Sequence, residues 1–473
     1  MIRLLSAELF RLELRARMPF RYGIATMTEV PQLLARLTFE IDGKKHHGLA
    51  ADLLPPKWFT KDPARGLAQE IDEMLRVIRA AVRHARGLRA VTAFDFWREL
   101  YGAQRAWAAG ENLPPLLANF GTSFVERALI HAICRARGAS LAAAVQDDLL
   151  GVQPGAVHPE LSATAAAAWV PARLPDTVFA RHTVGLSDPI TAGDLAPDER
   201  VDDGLPQTLD ECIRRYGLRH FKLKIDGRPE RDLDRLTRIA AVLRAECGAE
   251  FAFSLDGNES FRDVPSFADY FCRLRAAPAL AQFWAGLLYI EQPWHRSVAL
   301  SPAIGDLARA WPDRPPIIID ESDAEIGSLK AALGLGYAGT SHKNCKGFFK
   351  SLLNVALLAE HGDEGRCPAI LSGEDLANVG PISLAQDLAA QAVLGVTSVE
   401  RNGHHYFAGL AQFPAAWQRH ALAHHPDLYV PAAPGGWPRL DIRAGEISVR
   451  TINAAPFGVP GELDLSGLAL LPG

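Results

Sequence analysis

Charged residues in this sequence recur at one kind of place, the end of a short apolar run. HFKLKI carries Lys222 and Lys224, FAFSLDGNE presents Asp256 and Asn258, and LLYIEQP presents Glu291. PPIIIDES presents Asp320 and Glu321, and AGTSHKNCKG presents Lys343 and Lys346. A core strand gains nothing by ending in an ion, because desolvating a charge is costly unless a partner or a metal meets it. Five consecutive runs of this kind point to one shared polar site. Three carboxylates brought together (Asp256, Glu291, Asp320) repel unless a cation lies between them. An all-oxygen set suits Mg²⁺, one ion per site, which leaves positions for water or substrate oxygens. No His or Cys stands at these three ends, which argues against zinc there. Lys222 and Lys224 are two residues apart and so share one side of a strand. Each raises the cost of charging the other, so one of them is expected to have a lowered pKa and to act as a base near neutrality. The matching reaction is removal of a C–H proton next to a carboxylate, which becomes accessible when metal and cationic donors hold the resulting dianion.

For these ends to meet, the runs must be neighbours in a parallel sheet. From about Pro171 the pattern alternates strand and helix, with strands expected around 180–185, 219–224, 251–256, 287–291, 316–320, 338–343, 368–372 and 396–400. Leu233, Leu236, Ile239 and Leu243 mark one intervening helical face. Eight such units in roughly 230 residues fit a TIM-type (β/α) barrel, whose C-terminal strand ends converge on one mouth. Strands two and six then face each other across it. An open doubly wound sheet wants a Gly-rich turn after its first strand, and TVGLSDP has none. The expected class is α/β, with an α+β capping domain over 1–160, the barrel over 161–410, and a segment 411–473 that contains GEISVRTI and returns to the cap. In the cap, LLSAELFRLELRA and QLLARLTFEIDGKKHHGLAAD alternate with period two, and Asp42-Gly43 supplies a hairpin turn. MPFRYGIATMTEV reads as a polar-aromatic loop, and LLPPKWFTKDP as a second loop, where Trp58 and Phe59 are exposed as a substrate lid or packed between the domains. Helices are expected where Leu67, Ile71, Leu75 and Ile78 share a face and over SFVERALIHAICRARGASLAAAV.

With 473 residues, 48% of them hydrophobic and 22% charged, the chain is a globular protein of two domains. A net charge of −5 argues against a nucleic-acid partner. Cys134, Cys212, Cys247, Cys272, Cys345 and Cys367 are scattered without a C-x-x-C pair, as free, buried thiols in a reducing cytoplasm would be. The N-terminus lacks the apolar core of a signal peptide, and no run of 18 apolar residues exists to engage a membrane. A cytoplasmic location and a homo-oligomer are expected.

The ordered set K-x-K (Lys222, Lys224), D-x-N (Asp256, Asn258), E-Q-P (Glu291–Pro293), D-E-S (Asp320–Ser322) and K-x-x-K-G (Lys343–Gly347) resembles the enolase superfamily. Within it, the likeness is to the muconate-lactonizing and dipeptide-epimerase branch of the mandelate racemase/muconate lactonizing enzymes. The resemblance covers roughly 160–410 and is looser in the cap. It implies Asp256, Glu291 and Asp320 as Mg²⁺ ligands, Lys224 as base, Lys343 as its opposite number, and Lys222 steadying the carboxylate of a small-molecule acid. RYGIATM and LLPPKWF match the cap loops that select substrate. Phe348 and Phe349 stand where a Gly pair is usual, and the stretches around 90–115 and 185–205 are extra.

Each residue also has a plainer reading. The carboxylates and lysines pair as structural salt bridges. Glu321 points away from Asp320 on the same strand. Lys346 starts a helix, and Asn258 orients a ligand or caps a turn. At the seventh strand end Glu374 binds substrate or caps the next helix, beside Ser372 and Asp375. No His stands there, unlike in the racemase-like branch, which favours the lysine pair. After the eighth, near Glu400 and Arg401, His404 and His405 reach the mouth or sit in a solvated loop. Lys57 and Arg21 read as solvated. The same half-reaction serves racemisation, epimerisation, cycloisomerisation or dehydration of a hydroxy acid. Readings of other classes are a Schiff-base lyase and a non-catalytic acid-binding protein.

Overall fold

Alternating apolar and charged residues open the chain as an antiparallel meander of β1 (Ile2–Tyr22), β2 (Ala25–Ile41) and β3 (Lys44–Leu53). This is seen in a computed structural model that describes residues 1–22, 25–305, 307–363, 368–431, 433 and 436–472. Asp42 (φ 51°) and Gly43 (φ 78°) make the β2–β3 turn, both at the positive φ that a two-residue hairpin requires. MPFRYGIATMTEV is not a loop. β1 and β2 run on through it as a ribbon after a register shift between Arg15 and Phe20, with Phe20 opposite Met27 and Arg21 opposite Thr26. Buried Phe20 stacks on Tyr406 at 3.9 Å, and Met27 is buried beside it. This apolar contact gives a polar-looking stretch a face to bury. Gly23, Ile24 and Cys367 lie outside the described residues.

Three helices cover the meander: α1 (Leu67–Arg86), α2 (Ala93–Gly110) and α3 (Pro115–Arg137). α3 lies so close to β3 that a Cβ at Gly48 would sit 1.9 Å from the Ala128 carbonyl oxygen. α2 occupies the extra stretch at 90–115, and Thr92 caps it by accepting from the Asp95 N–H.

The eight barrel strands fall where the apolar runs place them: β4 (Thr177–Val184), β5 (His220–Lys224), β6 (Ala252–Asp256), β7 (Leu287–Glu291), β8 (Ile317–Ile319), β9 (Gly339–His342), β10 (Ile370–Gly373) and β11 (Ser398–Arg401). Each pairs in parallel with the next, and β11 pairs back onto β4 to close the ring. The C-terminal segment touches both halves. Glu446–Ser448, from GEISVRTI, pairs with the start of β4, and Ala469–Leu470 pairs with β1. No helix among the described residues is long and apolar enough to cross a membrane.

Phe348 and Phe349 are packed into the fold. Phe349 is fully buried, its ring 5.4 Å from both Phe94 and Trp97 of α2, while Phe348 meets Phe457. In the 185–205 stretch, Asp203 pairs with Arg17 of β1 at 2.6 Å.

Glu126 of α3 accepts the Phe349 N–H across the boundary between cap and barrel. Burial pushes its carboxyl up to about 8, against the pull of that N–H. The folded protein therefore holds this proton more tightly than the unfolded chain. The resulting stability is fully present below the unfolded value and is lost as pH rises through 8. Glu126→Gln is expected to flatten the stability–pH curve, with urea unfolding at pH 5, 7 and 9 showing the wild type losing about 3–5 kcal/mol more than the variant.

Candidate active site

Strand register assembles the mouth. Lys224 lies opposite Asp256, and Asp256 opposite Glu291, on three adjacent strands. Asp320 follows β8 directly, Lys343 follows β9, and Glu374 follows β10. They surround a cavity lined by Thr183, Lys222, Lys224, Asp256, Asn258, Asp320, Glu321, Lys343, Asp375, Glu400 and Asn402 from the barrel side. Phe20, Met27, Pro55, Lys57, Trp58 and Lys61 close it from the cap, and Leu376 and Ala377 add apolar wall. All the lysines and carboxylates read from the strand ends are thus brought to one place, with Lys346 behind Asp320 and two carboxylates one layer back.

Those two are Glu291 and Glu374, which lie behind Lys222. Its Nζ is 2.8 Å from Glu291 Oε2, 2.8 Å from Glu374 Oε2, 3.3 Å from Asp256 Oδ2 and 3.6 Å from Glu400 Oε2. Burial alone would lower the Lys222 pKa, but Glu291, Glu374, Glu400 and Asp256 outweigh it and hold the ammonium well above the ordinary lysine range. The expected lowering by its neighbour Lys224 is therefore overturned for Lys222: carboxylates, not the second lysine, dominate its surroundings. Glu374 neither caps a helix nor lines the cavity. Its carboxylate is fully buried on Lys222 and on Arg181 Nη2 at 2.6 Å. Arg181, inside β4, also donates to Ser254 Oγ (3.0 Å), Ser372 Oγ (3.1 Å) and the Gly373 carbonyl (2.6 Å), forming a polar plug beneath the mouth.

Asp320 is gripped from two sides. Lys343 Nζ is 2.6 Å from its Oδ2, and Lys346 Nζ is 2.8 Å from Oδ1 and 2.7 Å from its carbonyl. Burial opposes charging Asp320, yet the two ammoniums hold its carboxyl well below the usual range. Burial would likewise lower Lys343, and Asp320 reverses this. The Trp58 ring lies 4.5 Å from Lys343 Nζ. Lys224 is held more loosely, 3.2 Å from Asp256 Oδ2 and 3.4 Å from Asn258 Oδ1. The Asn258 N–H donates to Asp256 Oδ1, at a residue with φ 55°. Burial raises the Asp256 carboxyl, but Lys224 and Lys222 bring it down to about 2.

Several expectations need correcting. Glu321 does not point away from Asp320. β8 ends at Ile319, strand alternation stops there, and both side chains line the cavity. Trp58 and Phe59 are buried, not exposed. Lys57 is buried against Glu70 at 2.9 Å, whereas Arg21 is exposed as read. Cys272 is exposed, and the other four described cysteines are buried and free. His404 and His405 neither reach the mouth nor sit in a solvated loop: they pack behind the wall against His182. Lys61, which pairs with Glu259, and Glu400, which accepts from Thr183 Oγ1 at 2.6 Å, are cavity residues that the sequence reading passed over or left unassigned.

Asp256, Glu291 and Asp320 suit a hard divalent cation in donor type and in their placement on three neighbouring strand ends. Glu291 is buried with both carboxylate oxygens on Lys222 Nζ, at 2.9 Å from Oε1 and 2.8 Å from Oε2. The three do not converge on one point. Among the described residues, His182, Cys212 and His405 are the one His/Cys/Asp/Glu group whose ligand atoms all lie within 4.8 Å of one another. The lysines account for this spread, since Lys222 draws Asp256 and Glu291 while Lys343 and Lys346 draw Asp320.

This barrel with its antiparallel cap is the fold of enolase-superfamily proteins. Comparison with protein-family models and with curated proteins finds no match. Solved structures match over nearly the whole chain. A probable mandelate racemase from Alicyclobacillus acidocaldarius is 20% identical, with 95% of this chain and 92% of that one covered and a TM-score of 0.57. The muconate lactonizing enzyme of Pseudomonas fluorescens is 18% identical over 99% and 96%, with a TM-score of 0.58. An enolase from Bradyrhizobium, complexed with magnesium and mandelic acid, is 16% identical over 99% and 96%, with a TM-score of 0.56. At these identities the likeness is one of fold.

Glu374→Gln keeps the shape of the plug and removes its charge, leaving Arg181 buried with neutral acceptors only. Breaking a buried pair in this way is expected to cost about 3–5 kcal/mol, read as a lowered urea midpoint with an unchanged slope.

Proposed function

We propose that this protein is an enzyme that abstracts the proton α to the carboxylate of a small acid and returns a proton to the enediolate, an isomerase of the racemase, epimerase or cycloisomerase kind. The observation that carries this reading is the placement of Lys224 and Lys343. They enter one cavity from β5 and from the end of β9, four places apart in a ring of eight strands. A substrate carbon between them has an amine on each face. Lys224, held by the longer contacts, takes the proton at Nζ. Lys343, clamped between Asp320 and the Trp58 ring, presents an ammonium to the opposite face.

Asp256, Glu291 and Asp320 would hold magnesium, which when bound supplies Lewis-acid stabilisation of negative charge. Support comes from the donor types and from the Bradyrhizobium structure, which holds magnesium together with a carboxylic acid. Lys222 acts mainly as a positioning residue that ties Glu291 and Glu374 in place. Phe20, Met27, Pro55, Trp58 and Leu376 favour an acid with an apolar side group, and Lys61 adds a cation at the cap edge.

The test is α-proton exchange with solvent deuterium across a panel of carboxylic acids, with magnesium present. Lys224→Met and Lys343→Met are each expected to lower turnover by about 10²–10⁴-fold. Each should abolish exchange from one stereoisomer of an α-chiral substrate while sparing the other. Turnover that survives both substitutions, or a panel without exchange in magnesium-loaded protein, overturns the reading.

A further inference from the structure

At the seam where β11 closes onto β4 lies a second cluster of reactive side chains that the mouth does not use. His182 of β4, Cys212 of the helix Leu209–Tyr216 and His405 of the helix Gly403–Tyr406 are all buried. One ligand atom from each lies within 4.8 Å of the other two. Strand alternation explains the placement: Arg181 points into the barrel, so His182 points out against the helix layer. Cys212 Sγ is 3.5 Å from His405 Nδ1, and His182 Nδ1 is 3.3 Å from Nε2 of His404. The other ring nitrogen of His404 is buried with no hydrogen-bond partner.

Buried polar groups are normally satisfied, and this cluster satisfies its own poorly. A thiol is a weak donor, and two imidazole nitrogens face each other. Charging the rings gives no relief. A positive ring there would face another cation, Arg17, which donates to the His405 carbonyl at 3.1 Å. One sulfur and several imidazole nitrogens, from three separate segments of chain, make the donor set of a borderline transition ion rather than of magnesium.

We propose that His182, Cys212 and His405 form a buried site for one Zn²⁺-class ion that staples the first and eighth barrel strands. On binding, the Cys212 S–H proton passes to solvent and a sulfur–metal bond forms, with no change of oxidation state. None of His182, Cys212, His404 or His405 lines the mouth cavity, so the ion holds structure and meets no substrate.

The test is expression of the full chain in cobalt-supplemented medium, followed by metal analysis and absorption spectroscopy. The expected result is a thiolate-to-cobalt charge-transfer band that is lost in Cys212→Ser, together with one equivalent of metal, and retained in Cys272→Ser. Cobalt held by the carboxylates of the mouth gives no such band, so the two sites are read separately. No band in the wild type, or a band unchanged by Cys212→Ser, overturns the proposal. Should Cys212→Ser fail to fold, His182→Gln decides: a shifted or lost band supports the site, and a band identical to the wild type's overturns it.

Discussion

Charge buried in balance is the constraint on which the mouth depends. Lys222 stands among Asp256, Glu291, Glu374 and Glu400, Arg181 answers Glu374 from below, and Asp320 is shared by Lys343 and Lys346. Any one of these ions buried alone would cost several kcal/mol, so they are tolerable only as a set. Their partners come from most of the strands around the ring. A one-residue slip of any strand would turn its charge to the wrong side. Closing the barrel in register and assembling the site are therefore one requirement.

That requirement explains what the sequence discloses. Parallel strands buried on both faces read as apolar runs, and charge at the end of each run marks the mouth, so eight strands and the lysine and carboxylate ends are legible without a structure. Arg181 is not. In TVFARHTV an arginine beside a histidine gives no sign of which points inward, and a barrel interior is ordinarily filled by branched apolar side chains. Glu374 reads as a cap because only the fold puts Arg181 and Lys222 against it. Glu321 misleads because alternation holds only while the strand lasts. The ribbon at 16–27 is hidden for another reason: its strands are stabilised by Tyr406, nearly four hundred residues away in sequence.

The stretches that look unusual in sequence are packed in pairs. Phe349, after Lys346, is received by Phe94 and Trp97 of α2. The extra stretch after β4 supplies Asp203 to Arg17. Each looks like an anomaly in sequence because its partner lies in another segment, and each is ordinary packing once both are seen.

The cavity is also divided by chain order. Phe20, Met27, Pro55 and Trp58, which make most of its apolar side, all precede residue 60, while its charged residues other than Lys57 and Lys61 follow residue 180. The apolar wall and most of the charged wall are thus written in separate stretches of the gene. A change in the opening sixty codons reshapes the apolar wall and reaches the ions chiefly through Trp58, whose ring faces Lys343.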